Sequence, residues 1–377
     1  MKNYERMTRK EHSVNYKIPS GCAVFGMVNQ KGARFSGSSV LEGIAMMHDR
    51  SNGLGGGFAA YGIYPQFEND WAFHLIYEDT IAQQQTEDFL RKDFETLLAE
   101  KIPTDNSIRL DHPPLTYRYF LRCREDIGQG EEDFIVRLVM QINSNIRGAF
   151  VVSSGKNMGI FKGVGYPEQI GRYYRIQDYK GYLWTSHGRF PTNSVGWWGG
   201  AHPFGLLNWS VVHNGEISSY GSNKRFVSDF GYICTMSTDT EVIAYLFDLL
   251  WRKEKVDLRL LHLILSAPLW EEIERMPEHT KKAVTALRII YGPALLNGPF
   301  NIIIGHNDFM YALNDRIKLR PMVAARQGDF IYVSSEEAAI KKVCPEPEIV
   351  WRPEGGEPVI GMVNLPQKTE AKKSLEV

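Results

Sequence analysis

The chain has 377 residues, with 43 basic and 44 acidic side chains, a formal net charge of -1, 43% hydrophobic residues and 23% charged ones. That length suits one large domain or two ordinary ones, and a near-neutral balance without any Lys/Arg block argues against nucleic acid or a membrane surface as the main partner. The four cysteines, Cys22, Cys123, Cys234 and Cys344, are scattered without a CxxC pair, which argues against a zinc site or a disulfide framework and for a reduced, cytoplasmic setting.

Residues 1–21 are basic at the start but hold no apolar core segment, so they read as a leader to be removed rather than a secretory signal or an anchor. AVFGMVN (23–29) reads as a strand and VLEGIAMMHDR (40–50) as a helix with Leu41, Ile44, Ala45 and Met47 or His48 on one face. GGGFAA (55–60) matches a dinucleotide-binding GxGxxA in form only. It neither follows a strand nor opens a helix, so a close-packed glycine turn leading into a strand is the better reading. Over residues 66–150 the pattern predicts strand (WAFHLIYE), helix (TEDFLRKDFETLLAE), strand (TYRYFLRCR) and helix (EEDFIVRLVMQIN), an α+β insertion that serves either packing or the docking of a partner.

GAFVVSSGKNMGIFKG (148–163) and GPFNIIIGHNDFMYALND (298–315) read as hairpins, each an apolar strand, a polar turn and a second strand. Between them, NSVGWWGGAHPF sets Trp197 and Trp198 among glycines, which fits either a lid or a hydrophobic anchor. STDTEVIAYLFDLLWRK (237–253) reads as a helix capped by Ser237 or Thr238, with Asp239 in its first turn. The polar tail, 366–377, lacks periodicity and is expected to be loose. His48, His187, His202 and His213 lie in or near the motif strings, but none has the i, i+4 spacing of a helical zinc pair, so no metal is expected.

Cys22, in SGCAVFGMVN, is the candidate nucleophile. If the chain is cut after Gly21, Cys22 carries both an attacking sulfur and a free α-amine. An α-amine titrates at about 7.7–8.0 and an ordinary thiol at about 8.5, so the amine can take the thiol proton without a separate histidine.

Four further strings follow in order: HGRFPTNS, AHPF, VVHNGEIS and STDTEVI. Taken singly, Arg189, Asn214 and Asp239 read as well as a surface ion pair, a turn residue and a helix cap. The ordered set resembles the class II glutamine amidotransferases, which are N-terminal-nucleophile hydrolases. The resemblance implies an α+β fold, the four-layer αββα sandwich of two facing antiparallel sheets with helices outside, over residues 22–365. It implies Cys22 as nucleophile, Asn214 and Gly215 as the oxyanion hole, Arg189 on the α-carboxylate of glutamine and Asp239 on its α-ammonium. Thr192, His202 and Glu216 are expected beside the same substrate.

RFPTNS, AHPF, HNGEI and YALNDRIKLRPMVAARQGDFIYVSSEEAAI (311–340) are similar to one branch, the glutaminase domain of glutamate synthase. The chain departs from it at Cys22-Ala23 and at Asp315-Arg316-Ile317-Lys318-Leu319-Arg320-Pro321, where Asp315, Arg316 and Arg320 read as a salt-bridged structural turn outside the site. The resemblance implies a glutaminase that makes glutamate and ammonia and passes the ammonia to a separate synthase subunit. With no cluster of thiolates in this chain, FMN and iron–sulfur clusters are expected in that partner. Two other readings stay open: a non-catalytic glutamine-binding regulatory subunit, and a cysteine N-terminal-nucleophile amidase for another amide.

Overall fold

Residues 21–124, 130–190 and 196–365 are described by the computed structural model. In chain order the strands are β1 (Ala23–Asn29), β2 (Phe35–Ser36), β3 (Gly56–Tyr61), β4 (Trp71–Tyr77), β5 (Phe94–Lys101), β6 (Leu115–Cys123), β7 (Ala149–Lys156), β8 (Met158–Gly163), β9 (Lys180–Gly181), β10 (Leu183–Gly188), β11 (Phe204–Leu206), β12 (Trp209–Gly215), β13 (Phe300–His306), β14 (Phe309–Asn314), β15 (Val323–Gln327), β16 (Phe330–Ser334), β17 (Ile349–Trp351) and β18 (Val359–Met362). The helices are α1 (Ser38–Ala45), α2 (Thr80–Leu90), α3 (Glu131–Asn145), α4 (Pro167–Tyr173), α5 (Tyr220–Asp229), α6 (Asp239–Phe247), α7 (His262–Leu265), α8 (Trp270–Glu274), α9 (Glu278–Ile290) and α10 (Glu337–Val343).

β1 is buried along its whole length because both of its faces are covered. It lies within a seven-stranded antiparallel sheet of order β17-β15-β16-β1-β10-β3-β8, opposite a five-stranded antiparallel sheet of order β11-β12-β13-β14-β18. Val24 and Val28 point between the sheets, where they join Tyr61, Leu183, Val212, Ile303 and Met310. A Cβ on Gly26 would stand only 2.9 Å from Met310 Sδ, so glycine lets the sheets approach closely at that point.

Ala23, Phe25 and Met27 face the other way, into a core shared with Val40 and Ile44 of α1, Ile170 of α4 and Ile340 of α10. Along α1 the buried stripe is Val40, Gly43 and Ile44, continued by Met47 just beyond the helix; Ile44 and Met47 lie inside as expected, whereas Leu41 and Ala45 are only half-buried. Each fully buried aliphatic side chain in this layer stabilises the fold by roughly 1.5–3 kcal/mol. On the far side, Val242 and Leu246 of α6 pack against Val211, Ile302 and Ile304 of the five-stranded sheet. The result is an α+β, four-layer αββα sandwich, as expected from the sequence.

Residues 71–156 supply a third sheet, of order β5-β6-β4-β7, with α3 packed on the face that carries Phe73, Leu75 and Tyr77. The helix expected over 86–100 is corrected here. Asp79 caps α2 by accepting from Ala82 N at 2.8 Å, the helix stops at Leu90, and Phe94–Lys101 pairs with β6 as a strand. Only Phe94 of β5 is buried, so its apolar spacing suits a helix as well as a strand and the pairing with β6 decides.

The expected 148–163 hairpin also separates, since β7 joins β4 in the third sheet whereas β8 joins β3 in the seven-stranded one. Asn157, at φ +52°, makes the change of sheet, with its main-chain and side-chain oxygens accepting from Gly62 N and Tyr64 N. The 298–315 pair is a true hairpin, β13 with β14. Among the described residues no helix is long and apolar enough to cross a membrane.

Candidate active site

Cys22 stands immediately ahead of β1, and the β1–β10 register pairs Ala23 with Gly188, which sets Cys22 opposite Arg189. The Phe190 N–H donates to Cys22 Sγ at 3.3 Å. Burial pushes the thiol up, while the Phe190 N–H and the charges of Arg189 and Arg320 pull it down and Asp239 adds a smaller upward push. The net direction is upward, so the resting group is a protonated thiol that needs a base.

Arg189 is itself buried and leans on the glycine turn 53–57. A Cβ at Gly55, where φ is +158°, would meet Arg189 Cδ at 3.0 Å, and one at Gly57 would meet His202 O at 2.2 Å. The glycine run thus makes room for the arginine stem and for the AHPF segment, consistent with the close-packed turn expected there.

Asn214 and Gly215 end β12, within reach of the same strand ends. Gly215 has φ +146°, and a Cβ there would lie 2.0 Å from Pro299 O, so only glycine fits. Asn214 is fully buried. Its amide lies 3.4 Å from Ser335 Oγ, which already accepts Val24 N–H at 3.2 Å.

With the amide nitrogen on Ser335, the Asn214 oxygen is left without a partner on the Gly21–Cys22 side among the described residues. A half-turn of the amide lets Ser335 O–H donate to the oxygen and directs the NH2 towards Cys22, which satisfies both groups.

Asp239 opens α6, but Thr238 is the cap, its hydroxyl accepting from Thr240 N at 3.3 Å. The Asp239 carboxylate instead accepts from Ile217 N at 3.0 Å and lies 3.5 Å from His213 Nδ1, tying the HNGE turn to the start of α6. Burial alone would push this carboxyl up. The His213 ring and the hydrogen bonds from His213, Ile217 and Thr240 outweigh it and hold the group down at about 2.

The three motif histidines form a floor under the site. His187 and His202 lie with ring centroids 4.1 Å apart and planes tilted by 32°, His202 and His213 share the Thr240 hydroxyl at 3.2 Å each, and the His187 Nε2–H donates to His213 O at 2.9 Å. Burial, reinforced by the positive charge of Arg189, drives His187 down to about 3, and burial with its charged neighbours takes His202 well below its ordinary value, so both are neutral. No group of three or more His, Cys, Asp or Glu poised for a metal occurs among the described residues.

The structure therefore brings Cys22, Arg189, Asn214, Gly215 and Asp239 together, with His202 beneath them. Glu216 is different: its side chain is exposed, and its main-chain N–H bonds Pro299 O. Thr192 lies outside the described residues. Trp198 is buried beside Tyr173 and Trp197 packs on Phe150, so the pair is anchored rather than exposed.

Four residues absent from the expected site border it. Ser335 and Arg50 contact the Cys22 segment, with Arg50 Nε donating to Cys22 O at 3.4 Å and Nη1 pairing with Glu336 at 2.9 Å. Lys162, buried, donates to Gly199 O at 2.9 Å and Pro203 O at 3.2 Å and so holds the segment that carries His202; burial, opposed by Glu241, lowers its ammonium to about 7. Arg320 was expected in a salt-bridged turn. That turn is held instead by main-chain N–H groups of Phe300, Ile317, Leu319 and Arg320 donating to the Asp315 carboxylate, and the Arg320 guanidinium faces Cys22. The LRP string was the available signal, but nothing in its local pattern points to the distant cysteine.

A thiol at the head of a central strand in such a sandwich, with an arginine and an aspartate beside it, has the organisation expected of the N-terminal-nucleophile class. The model of the class II glutamine amidotransferases matches residues 78–354, and the chain belongs to that family. An uncharacterized protein of Archaeoglobus fulgidus is 48% identical over 367 residues, covering 96% of this chain and 97% of its own. The amidophosphoribosyltransferase of Methanocaldococcus jannaschii is 27% identical over 192 residues, covering 50% of this chain and 35% of its own. Among solved structures, glutamine phosphoribosylpyrophosphate amidotransferase from B. subtilis aligns at 17% identity with a TM-score of 0.45, covering 90% of this chain and 47% of that one.

Proposed function

We propose that this protein is a glutaminase: Cys22, freed at its amine by a cut after Gly21, hydrolyses L-glutamine to glutamate and ammonia. The observation that carries the reading is the placement of Cys22 Sγ among the opposite charges of Arg189 and Asp239, which suit the α-carboxylate and α-ammonium of one amino acid.

The raised thiol needs a base. His187, His202 and His213 each bond His213 O or the Thr240 hydroxyl through one ring nitrogen, and the other nitrogen of each has no partner among the described residues, Cys22 Sγ included, which favours the α-amine of Cys22 in that role. In the proposed sequence the amine takes the thiol proton as sulfur attacks the carboxamide carbon. The oxyanion is held by the Asn214 amide and the Gly215 N–H. The C–N bond then breaks, the amine returns its proton to the leaving nitrogen, and ammonia departs. Water opens the γ-glutamyl thioester to give glutamate and restore the thiol.

The ammonia is proposed to pass to a separate synthase subunit of the glutamate-synthase type that carries FMN and iron–sulfur clusters. This part rests on the similarity of residues 311–340 and on chemistry, since ammonia released into water is protonated and lost as a nucleophile. The primary test is the intact mass of the purified protein before and after a diazo-ketone analogue of glutamine. Loss of residues 1–21 with one adduct on Cys22 supports the glutaminase, whereas a full-length, unlabelled chain refutes it. Affinity capture on the tagged full chain tests the partner: an FMN- and iron-containing polypeptide supports it, and its consistent absence removes that part of the reading.

A further inference from the structure

Three arginines surround Cys22, and two of them have compensating charges. Arg50 pairs with Glu336 at 2.9 Å and gives its Nε to Cys22 O, while Arg189 shares its surroundings with the Asp239 carboxylate. Arg320 differs. It meets Asp315 through its main-chain N–H at 3.3 Å, and its buried Nε has no hydrogen-bond partner among the described residues.

Its guanidinium reaches the junction ahead of the nucleophile. A Cβ built on Gly21 would stand 2.8 Å from Arg320 Nη1, against 3.5 Å from Arg50 Nη2 and 3.5 Å from the Asn214 side-chain oxygen. A guanidinium cannot shed its proton at any working pH, so this charge is permanent.

We propose that Arg320 is a positioning residue for the nucleophile: standing at the Gly21–Cys22 junction, its charge keeps the α-amine freed at Cys22 in its basic form and favours the thiolate, and so sets the acid limit of the reaction. This rests on the glutaminase reading, because it needs Cys22 at a free N-terminus.

The sign is the same for both groups. A nearby cation disfavours the ammonium, so the amine is available as base at lower pH, and it favours the thiolate that attacks. After attack, the ammonium formed beside Arg320 is also a stronger acid towards the leaving nitrogen. The charged groups that face Cys22 are Arg189, Arg320 and Asp239, with Arg50 and its partner Glu336 behind the carbonyl.

The test compares wild type, Arg320→Met and Arg320→Lys as full chains, with intact mass reporting the cut at Gly21. Two pH profiles are recorded: kcat/KM for glutamine, and the rate of Cys22 alkylation by iodoacetamide. In Arg320→Met both acid limbs should move up by roughly one pH unit, so that the rate at neutral pH falls about tenfold and recovers in alkali, with KM for glutamine unchanged. Arg320→Lys, which keeps the charge, should restore most of the wild-type profile.

A cut Arg320→Met chain with unshifted limbs overturns the proposal, as does an Arg320→Met chain that retains residues 1–21, since Arg320 would then act in the cut and not on the amine. If the wild type is cut but does not hydrolyse glutamine, the glutaminase reading fails by itself, and the alkylation profiles still decide the role of Arg320. Should Arg320→Met not fold, Arg320→Gln replaces it in both profiles.

Discussion

Asn214 and Asp239 meet different parts of a bound glutamine on the proposed reading, so their removal separates two kinetic constants. Asn214→Ala is expected to lower kcat by roughly 100- to 1,000-fold with little change in KM, because its amide meets the oxygen only once that oxygen is charged. Asp239→Asn is expected to raise KM for glutamine by roughly 100-fold, because a buried carboxylate facing an ammonium acts in the ground state as well. Asp239 stays ionised down to about pH 2, so it is not itself the group that titrates in the acid limb; loss of its charge beside Cys22 should move that limb down, opposite to Arg320→Met, and steady-state kinetics across pH reads both effects. These residues were legible in the sequence because each sits in a string whose neighbours carry information: His213-Asn214-Gly215, or Thr238-Asp239. Arg320 reads from the sequence as part of a structural turn, since no local pattern links it to Cys22, and Glu216, expected beside the substrate, has an exposed side chain.

β12 and α6 show what a single element must satisfy to build the site. Gly215 closes β12 at φ +146°, where a Cβ would lie 2.0 Å from Pro299 O, so Gly215→Ala adds both backbone strain and a clash. A loss of roughly 3 kcal/mol is expected by denaturant unfolding. Gly231→Ala is the control: φ there is +88° but nothing lies within 4 Å of the added Cβ, so only the backbone term of about 1 kcal/mol remains. Equal losses for the two would mean that the contact with Pro299 relaxes at no cost.

Element type was readable wherever one face was regular, as in α3 and the β13–β14 hairpin. It failed at 86–100, where the apolar residues fit both periods, and at 148–163, where two adjacent strands enter different sheets. Both outcomes depend on the partner strand, which a local pattern does not contain.

The whole molecule buries histidines that must stay neutral. Burial takes His74, His187 and His306 each to about 3, against an unfolded value near 6.5. Between those limits the unfolded chain binds more protons than the folded one, so stability is fully present above about pH 6.5 and is lost as the pH falls towards 3. Each such histidine contributes up to about 1.4 kcal/mol per pH unit in that window. The melting temperature should therefore drop steadily below pH 6.5, and a flat profile between pH 7 and 5 would show that these rings are charged in the native state.

The sequence by itself determined the family, through one cysteine and an ordered set of strings, and through that resemblance the αββα layering, with which apolar runs that require cover on both faces agree. Only the tertiary structure decided which charges surround the sulfur. The β1–β10 register sets Arg189 across from Cys22, Ser335 bridges Val24 to Asn214 between the sheets, and the Asp315 turn delivers Arg320 to the Gly21–Cys22 junction. Each is a contact between residues far apart in the chain, and the long-range electrostatics of a buried site follow position in space rather than position in sequence.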